Sequence, residues 1–172
     1  MTRYVGYIAM SLDGFIADAE GGVGWLDRFD EKLGDAGGYA EFIEGVDALV
    51  SGRKTHEQVL GWGWPYGERA NYVLTRQPGY TADHVTISGE VETIAAEIGK
   101  AGHKCVWIVG GGETQRAALD AGMFDTLRIF IMPILLGGGL PLFAPGNEHD
   151  LTLTACAELP GGVLQIDYAN ED

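Results

Sequence analysis

The sequence predicts an α/β fold with a mixed, mostly parallel sheet flanked by helices. Short apolar segments alternate with helix-like segments over most of the 172 residues, which is the order of a sheet with crossover helices. Two of the apolar segments end in glycine and lead directly into a helix. Two alternating segments flank Pro160-Gly161-Gly162, which predicts an antiparallel C-terminal hairpin. The length suits a single domain, residues 1–172.

The first half of the chain supplies four strands and two helices. The apolar stretch Tyr4–Met10 predicts a central strand, which Asp13-Gly14 ends in a turn. An irregular loop, Asp18–Gly24, then leads through Trp25, and such a loop is uncommon in a compact domain unless it lines a site. The other predicted elements are helices at Gly37–Gly45 and His56–Leu60 and strands at Asp47–Ser51, Asn71–Leu74 and Val85–Ser88.

The second half continues the alternation and then changes to antiparallel strands. Val91, Ile94, Ala95 and Ile98 have helical spacing. The β-branched run Val106–Val109 predicts a buried strand, and three glycines separate it from a helix. The remaining elements are a helix at Gln115–Ala121, a strand at Asp125–Met132, a glycine-hinged loop at Ile134–Phe143, and hairpin strands at Leu151–Glu158 and Val163–Ala169.

Composition excludes several classes of protein. A net charge of −14 argues against a general nucleic-acid surface. The apolar runs are too short to span a bilayer, and the N-terminus lacks the pattern of a signal peptide. Cys105 and Cys156 lack metal spacing and are expected to be buried, reduced thiols of a cytoplasmic protein. The histidines also lack metal spacing, and His56 is expected on a helix surface.

The two glycine junctions are candidate phosphate sites. Gly110-Gly111-Gly112 precedes one helix, and Gly52-Arg53-Lys54-Thr55 opens another. Glycine permits close approach of the backbone to a ligand, and the N–H groups at a helix N-terminus favour an anion. The alternative is a tight turn without a ligand, but three glycines cost conformational entropy that a plain turn does not require. Cations in a first helical turn oppose the helix dipole, and a bound phosphate would offset that cost.

Charge is unevenly distributed along the chain. From Val46 to Gly79, the basic side chains Arg53, Lys54, Arg69 and Arg76 outnumber Asp47, Glu57 and Glu68. This segment, the basic island, carries a net charge of +1 in a strongly acidic chain. A local positive region suits a small, multiply charged anion, although scattered surface charge gives the same count.

Four sequence segments together resemble a known family. They are Ile8-Ala9-Met10-Ser11-Leu12-Asp13-Gly14, Gly52-Arg53-Lys54-Thr55, Val109-Gly110-Gly111-Gly112 and Pro133–Phe143. Their order resembles the dihydrofolate reductase-like fold, and most of all the reductase domain of bifunctional riboflavin-biosynthesis deaminase-reductases and its stand-alone relatives. The resemblance spans nearly the whole chain and implies an NADPH-dependent reductase acting on a small heterocycle, with a riboflavin-pathway ribosylamino-pyrimidine as one candidate.

The resemblance also implies a set of cofactor contacts. Ala9 and Ile16 would lie on the nicotinamide side, and Thr75-Arg76 would meet the adenosine 2′-phosphate. The phosphates would be held by Gly52, Arg53, Lys54, Thr55, Gly110, Gly111, Gly112, Glu113 and Thr114. Glu113 departs from the cation that dihydrofolate reductases often carry there, so contact at this position would be through the backbone N–H. The basic island fits NADPH better than NADH, since arginine pairs well with a phosphomonoester.

The residues that would carry the chemistry are less well defined. Asp13, Asp27 and Asp30 are the candidate carboxylates, with ordered water as an alternative proton source. Asp13 would otherwise stabilise its turn, and the other two would be solvated loop acids. Expected substrate contacts are Trp25, Trp64, Leu136 and Gly137; Trp64 would close over a flat ring or pack its loop on the core.

Two other functions remain open at the level of sequence. The same pocket could hold a nucleotide, flavin or aromatic ligand without catalysis, and a flavodoxin-like protein would retain a flavin. The apolar C-terminal strands could also form a homodimer interface through a sheet edge. No metal is expected.

Overall fold

The computed structural model describes residues 1–170 of the chain. Within that range the strands are β1 (Arg3–Ser11), β2 (Phe15–Ala17), β3 (Ala48–Gly52), β4 (Ala70–Leu74), β5 (Val85–Ser88), β6 (Cys105–Gly110), β7 (Thr126–Met132), β8 (Leu140–Pro141), β9 (Leu151–Leu159) and β10 (Val163–Asn170). The α-helices are α1 (Asp27–Leu33), α2 (Tyr39–Glu44), α3 (Arg53–Gly61), α4 (Val91–Ala101) and α5 (Gly112–Asp120). Short 3-10 turns occupy Gly24–Leu26 and Pro160–Gly162.

The main sheet is mixed, as predicted. Its strand order is β5-β4-β3-β6-β1-β7-β10-β9, and the strands from β5 to β7 are parallel. β10 runs antiparallel to both β7 and β9, so the C-terminal hairpin is confirmed. A two-stranded ribbon of β2 and β8 joins the first turn of the chain to the loop after β7.

Apolar side chains cover both faces of the central strands. Val50 and Ile108 face α4 and α5, where Ile94 and Ile98 are fully buried. On the opposite face Leu49 and Trp107 pack with Val59 of α3 and with Tyr66. Because each strand alternates between these faces, nearly every residue of β3 is buried, which accounts for its continuous apolar sequence.

Three details of the predicted structure are wrong. The segment after Trp25 forms helix α1 rather than continuing the loop; its core-facing side chains are Phe29 and Leu33, too few for a visible helical period. His56 is 2% exposed rather than on the helix surface, because Tyr80 from a distant loop covers it. Cys156 is exposed on β9 and Cys105 only half-buried.

Two features are absent from the described residues: a helix that could cross a membrane and a cluster of side chains that could hold a metal ion. Among the helices of residues 1–170, none combines the length and the apolar character that crossing a membrane requires. Over the same residues, His, Cys, Asp and Glu side chains form no group of three or more that could hold a metal ion.

Candidate functional site

The two glycine junctions lie side by side at one edge of the sheet. β3 and β6 are parallel neighbours, with Val50 opposite Ile108 and Ser51 opposite Gly110. Their carboxyl ends therefore deliver α3 and α5 to the same edge. In open α/β sheets, ligands bind outside the carboxyl ends of the strands.

The two junctions pack closely at this edge, and Gly52 has no room for a side chain, whereas a Cβ atom on Gly111 would make ordinary van der Waals contacts. A Cβ atom on Gly52 would lie 2.7 Å from Oγ1 of Thr114. One on Gly111 would lie 3.6 Å from Oγ1 of Thr55 and 3.9 Å from Cδ1 of Ile16. The glycine of each junction thus lies next to a threonine in the first turn of the other helix: Gly52 next to Thr114 of α5, and Gly111 next to Thr55 of α3. We call these residues, Gly52, Thr55, Gly111 and Thr114, the glycine cradle.

The cradle presents backbone donors. Gly52 and Gly111 are the N-cap residues of α3 and α5, and neither helix has a side-chain cap. The N–H groups of a first helical turn have no partner within the helix, so they can bind an anion together with the positive end of the dipole. Gly112 and the exposed Glu113 contribute such N–H groups in α5.

Three of the four cations of the basic island lie at this edge. Arg53 forms an ion pair with Glu57 at 2.6 Å, and Lys54 is exposed beside it. Arg76 is exposed just after β4, where its Cγ lies near Gly89, which follows β5. The neighbouring hydroxyl of Thr75 accepts a hydrogen bond from the N–H of Gln77.

The fourth cation has a structural task instead. The guanidinium of Arg69 donates to the backbone carbonyls of Val46, Tyr66 and Ile43 at 2.9, 2.7 and 2.6 Å. This side chain ties three segments together at the amino ends of the strands. It is therefore not part of the candidate phosphate site.

Asp13 joins two loops. Its carboxylate accepts hydrogen bonds from the Ser11 hydroxyl at 2.6 Å and from the N–H groups of Leu136 and Gly137 at 3.0 and 2.8 Å. The bond from Ser11 and then the two backbone bonds hold the pKa of Asp13 below its ordinary value. The hydrogen bonds of this carboxylate thus connect the loop after β7 to the turn after β1.

A cavity of about 160 Å³ lies against α1. Asp30 lies at its wall, whereas Asp27, on the same helix, is outside it. Both carboxylates are exposed residues of α1 rather than of a loop. The cavity is otherwise apolar, and its remaining wall consists of Tyr7, Ala9, Leu26, Phe29, Leu33, Phe130 and Met132.

The expected substrate residues divide between two regions. Trp25 is buried with Phe29 and Met132, and Leu136 packs against this same cluster, beside the cavity. Gly137 adjoins Leu136 and is held by Asp13. Trp64 lies elsewhere: its indole N–H donates to the carbonyl of Gly67, at the amino ends of the strands.

The expected nicotinamide contacts lie between these features. Ala9 belongs to the cavity wall, and Ile16 lies next to Gly111 of the cradle. Ala9 and Asp30 therefore meet at the cavity and Ile16 lies at the cradle, while Trp64 and Asp27 lie outside both.

Apart from Ala9 and Asp30, the residues of the cavity wall were not predicted from the sequence. Tyr7 and Ala9, like Phe130 and Met132, are two positions apart on a strand and so share a face. That spacing was the available signal. The hydroxyl of Tyr7 donates to the carbonyl of Gly37 at 3.1 Å, and burial raises its pKa to about 12. Tyr7 therefore stays protonated at neutral pH.

Sequence comparison identifies relatives along nearly the entire chain. The family model described as the RibD C-terminal domain matches residues 5–164. The uncharacterized protein YwjB of Bacillus subtilis (strain 168) is 36% identical over 167 residues, which is 94% of each chain. A protein of Shewanella sp. PV-4 named for riboflavin biosynthesis is 31% identical, and its crystal structure matches with a TM-score of 0.81 over 100% of both chains.

More distant solved structures share the fold. The deaminase/5-amino-6-(5-phosphoribosylamino)uracil reductase of Thermotoga maritima is 17% identical, with a TM-score of 0.74 over 98% of this chain and 56% of that one. A dihydrofolate reductase of Enterococcus faecalis, solved with NADP(H), is 22% identical with a TM-score of 0.67 over 99% and 97%. The resemblance inferred from the sequence is confirmed: this chain belongs to the RibD C-terminal domain family and has a dihydrofolate reductase-like fold.

Proposed function

We propose that this protein is an NADPH-dependent reductase that transfers a hydride to an electron-poor carbon of a small heterocycle. The observation that carries the proposal is the contact of the two glycine junctions, where Gly52 and Thr114 leave no space for another carbon atom. Two uncapped helix N-termini that meet in this way suit two linked phosphate groups. Nicotinamide dinucleotides contain two such linked phosphates, as a pyrophosphate.

The surrounding cations favour the phosphorylated form of the cofactor. Arg76 follows the carboxyl end of β4, and Arg53 and Lys54 open α3 beside it. Arginine binds a phosphomonoester through paired N–H donors, so Thr75-Arg76 suits the adenosine 2′-phosphate. Glu113 is exposed and would repel a phosphate, so α5 would contact the pyrophosphate through backbone N–H groups.

The cavity beside α1 is the proposed substrate site. NADPH, when bound, supplies the hydride, while the residues of this chain orient both reactants. Phe29 and Phe130 offer flat apolar surfaces for a heterocycle, and Ala9 lies where the nicotinamide would approach. Asp30, or a water molecule that it orders, would deliver the proton.

A ribosylamino-pyrimidine of riboflavin synthesis is our candidate substrate. The Thermotoga maritima relative is named for the reduction of 5-amino-6-(5-phosphoribosylamino)uracil, which supports this choice. Its phosphate would need a second anion site. The N–H of Gly137 is occupied by Asp13, so Arg28 and Lys32 of α1 are the cations that could serve.

A non-catalytic binding module is the second candidate. The exposure of Asp30 favours it, because no acid in the cavity wall is shielded from water. Such a module would hold a nucleotide, flavin or small aromatic ligand in the same place. Steady oxidation of NADPH with any acceptor would exclude it.

Cofactor titration tests the proposal first. Tryptophan fluorescence should report NADPH binding, with NADH at least about tenfold weaker. Arg53→Ala and Arg76→Ala should each weaken NADPH binding about tenfold or more, since each removes a charge-assisted hydrogen bond. Lys100→Ala is the matched control, because Lys100 is an exposed cation of α4 that pairs only with Glu97 among the described residues.

The outcomes separate the two candidates. Tight NADPH binding that is lost in both arginine variants, followed by turnover of the pyrimidine, would support the reductase. Absence of binding to either dinucleotide would contradict it and leave the ligand-binding module.

We also propose that the protein is a homodimer that works in the cytoplasm. β9 is a nine-residue edge strand whose residues from Thr152 to Glu158 are exposed, and it contains no lysine, arginine or proline. Natural edge strands usually carry such residues to prevent pairing, so this edge suits a second copy. The exposed thiol of Cys156 on the same strand fits a reducing compartment.

A further inference from the structure

A second, larger cleft lies at the opposite edge of the sheet from the glycine cradle. Its volume is about 500 Å³, and it opens at the amino ends of β4 and β5, where Asn71 lies opposite Val85. Helix α3 forms one side, and the segment between β4 and β5 crosses over it without a helix of its own. This crossover leaves a space that no apolar side chain fills.

Asn71 gives the cleft a buried polar group without a partner. The residue is 6% exposed and lies on the same sheet face as its neighbour Leu49. Its Oδ1 atom is buried and has no hydrogen-bond partner within residues 1–170. A buried amide oxygen left unpaired costs free energy, so the side-chain amide of Asn71 has hydrogen-bonding capacity that the fold does not use.

Aromatic side chains form the rest of the interior. His56 is buried and shares a hydrogen bond of 2.8 Å between its Nδ1 and the Tyr80 hydroxyl. Burial lowers the pKa of His56, which keeps the imidazole neutral. Trp64 packs edge-on against the His56 ring at 5.7 Å between centroids. A flat ring could contact these two side chains in the manner of an aromatic pair.

The same cleft contains unusual backbone. Trp64 and His84 have φ angles of 49° and 56°, the only positive values outside glycine in the described chain, and both residues line the cleft. Positive φ angles are uncommon outside glycine, more so for tryptophan than for histidine, and strained backbone clusters at functional sites.

Charges at the mouth limit the type of ligand. Glu68 and Asp83 are exposed carboxylates there. Arg69 is the neighbouring cation, but its guanidinium is occupied by three backbone carbonyls. A phosphate would therefore meet two negative charges without a free cation, whereas an amino group would be favoured.

We propose that this cleft binds a small, phosphate-free aminoheterocycle, whose adjacent amino group and ring nitrogen pair with the side-chain amide of Asn71. A carboxamide offers one acceptor and two donors, and this pattern matches the edge of an aminopurine or aminopyrimidine. The ring lies against His56 and Trp64. The site is independent of the proposed cofactor site, which is at the carboxyl ends of the strands.

NMR titration with adenine tests this site. In ¹⁵N-labelled protein, millimolar adenine should shift the side-chain NH₂ signals of Asn71 and the indole signal of Trp64 in a saturable way. Asn71→Leu should weaken binding about tenfold or more, because it removes both hydrogen bonds at similar volume. Arg76→Ala should leave these shifts unchanged, since Arg76 follows the carboxyl end of β4, whereas Asn71 lies near the amino end of that strand. Adenosine 5′-monophosphate should bind more weakly than adenine at this cleft.

Three results would overturn the inference. One is the absence of any shift at Asn71 and Trp64 up to several millimolar adenine, which would mean that the cleft holds only solvent. Another is a set of shifts confined to Gly52, Gly111 and their neighbours and lost in Arg53→Ala. The third is unchanged adenine binding in folded Asn71→Leu. The wild-type shift map decides the question even where that variant does not fold.

Discussion

Asp30 is the residue whose substitution is most informative for the chemistry. It lies at the wall of the apolar cavity, while Asp27 lies three residues earlier on the same helix and outside the wall. We expect Asp30→Asn to lower kcat about 100-fold, the lower end for loss of a general acid, with NADPH affinity unchanged. Asp27→Asn is the matched control and should stay within about twofold of the wild-type rate. Equal effects of both substitutions in steady-state kinetics would remove Asp30 from its proposed role.

Asp13 should affect stability in a way that depends on pH. Its hydrogen bonds hold the folded-state pKa below the ordinary value, so the carboxylate stabilises the folded state above the unfolded pKa of about 4. That contribution is lost as the pH falls through the lower folded-state pKa. We therefore expect Asp13→Asn to have a lower Tm than the wild type at pH 7, and the difference to shrink in acid below about pH 3. Thermal unfolding of both proteins across this pH range measures the difference.

At the scale of secondary-structure elements, the close contact of α3 with α5 decides the geometry of the cradle. A methyl group at position 52 would press on the Thr114 hydroxyl, so Gly52→Ala should destabilise the fold by about 1–3 kcal/mol. It should also weaken NADPH binding, because the helices must move apart. Gly61→Ala, at the other end of α3, meets open space and should not destabilise. Chemical denaturation and cofactor titration of both variants provide the comparison.

At the scale of the whole molecule, the proposed homodimer depends on the free edge of β9. Leu153 is 53% exposed on this strand, and Leu135 is 68% exposed in a loop. We expect Leu153→Lys to convert the proposed homodimer to monomers, because a lysine would have to be buried between two edges. Leu135→Lys should leave the dimer intact. Light scattering coupled to size-exclusion chromatography reports the mass, and a monomeric wild-type protein would contradict the proposal.

Local sequence patterns predicted the sheet well, because strands such as β3 and β6 are buried on both faces and therefore continuously apolar. Features that depend on distant contacts could not be read in this way. His56 is buried only because Tyr80 reaches it across the crossover, and Trp64 turns away from the cradle to bond Gly67. Helix α1 was missed because its exposed acids outnumber its core-facing residues. The close approach of the two glycine junctions could be anticipated from local sequence, whereas the cavity beside α1 depends on packing between distant segments.

The pairing of β3 with β6 also has a kinetic consequence. The two halves of the cradle come from segments that are far apart in sequence, and they meet only after these parallel strands have paired. Such long-range pairing forms slowly, since loop closure must precede it. A partly folded chain with only one junction has half of the proposed phosphate site. The cofactor would therefore bind only the completed sheet and shift the folding equilibrium toward the folded state by mass action. The concentration of NADPH in the cell would then affect the fraction of newly synthesised chains that reach the folded state.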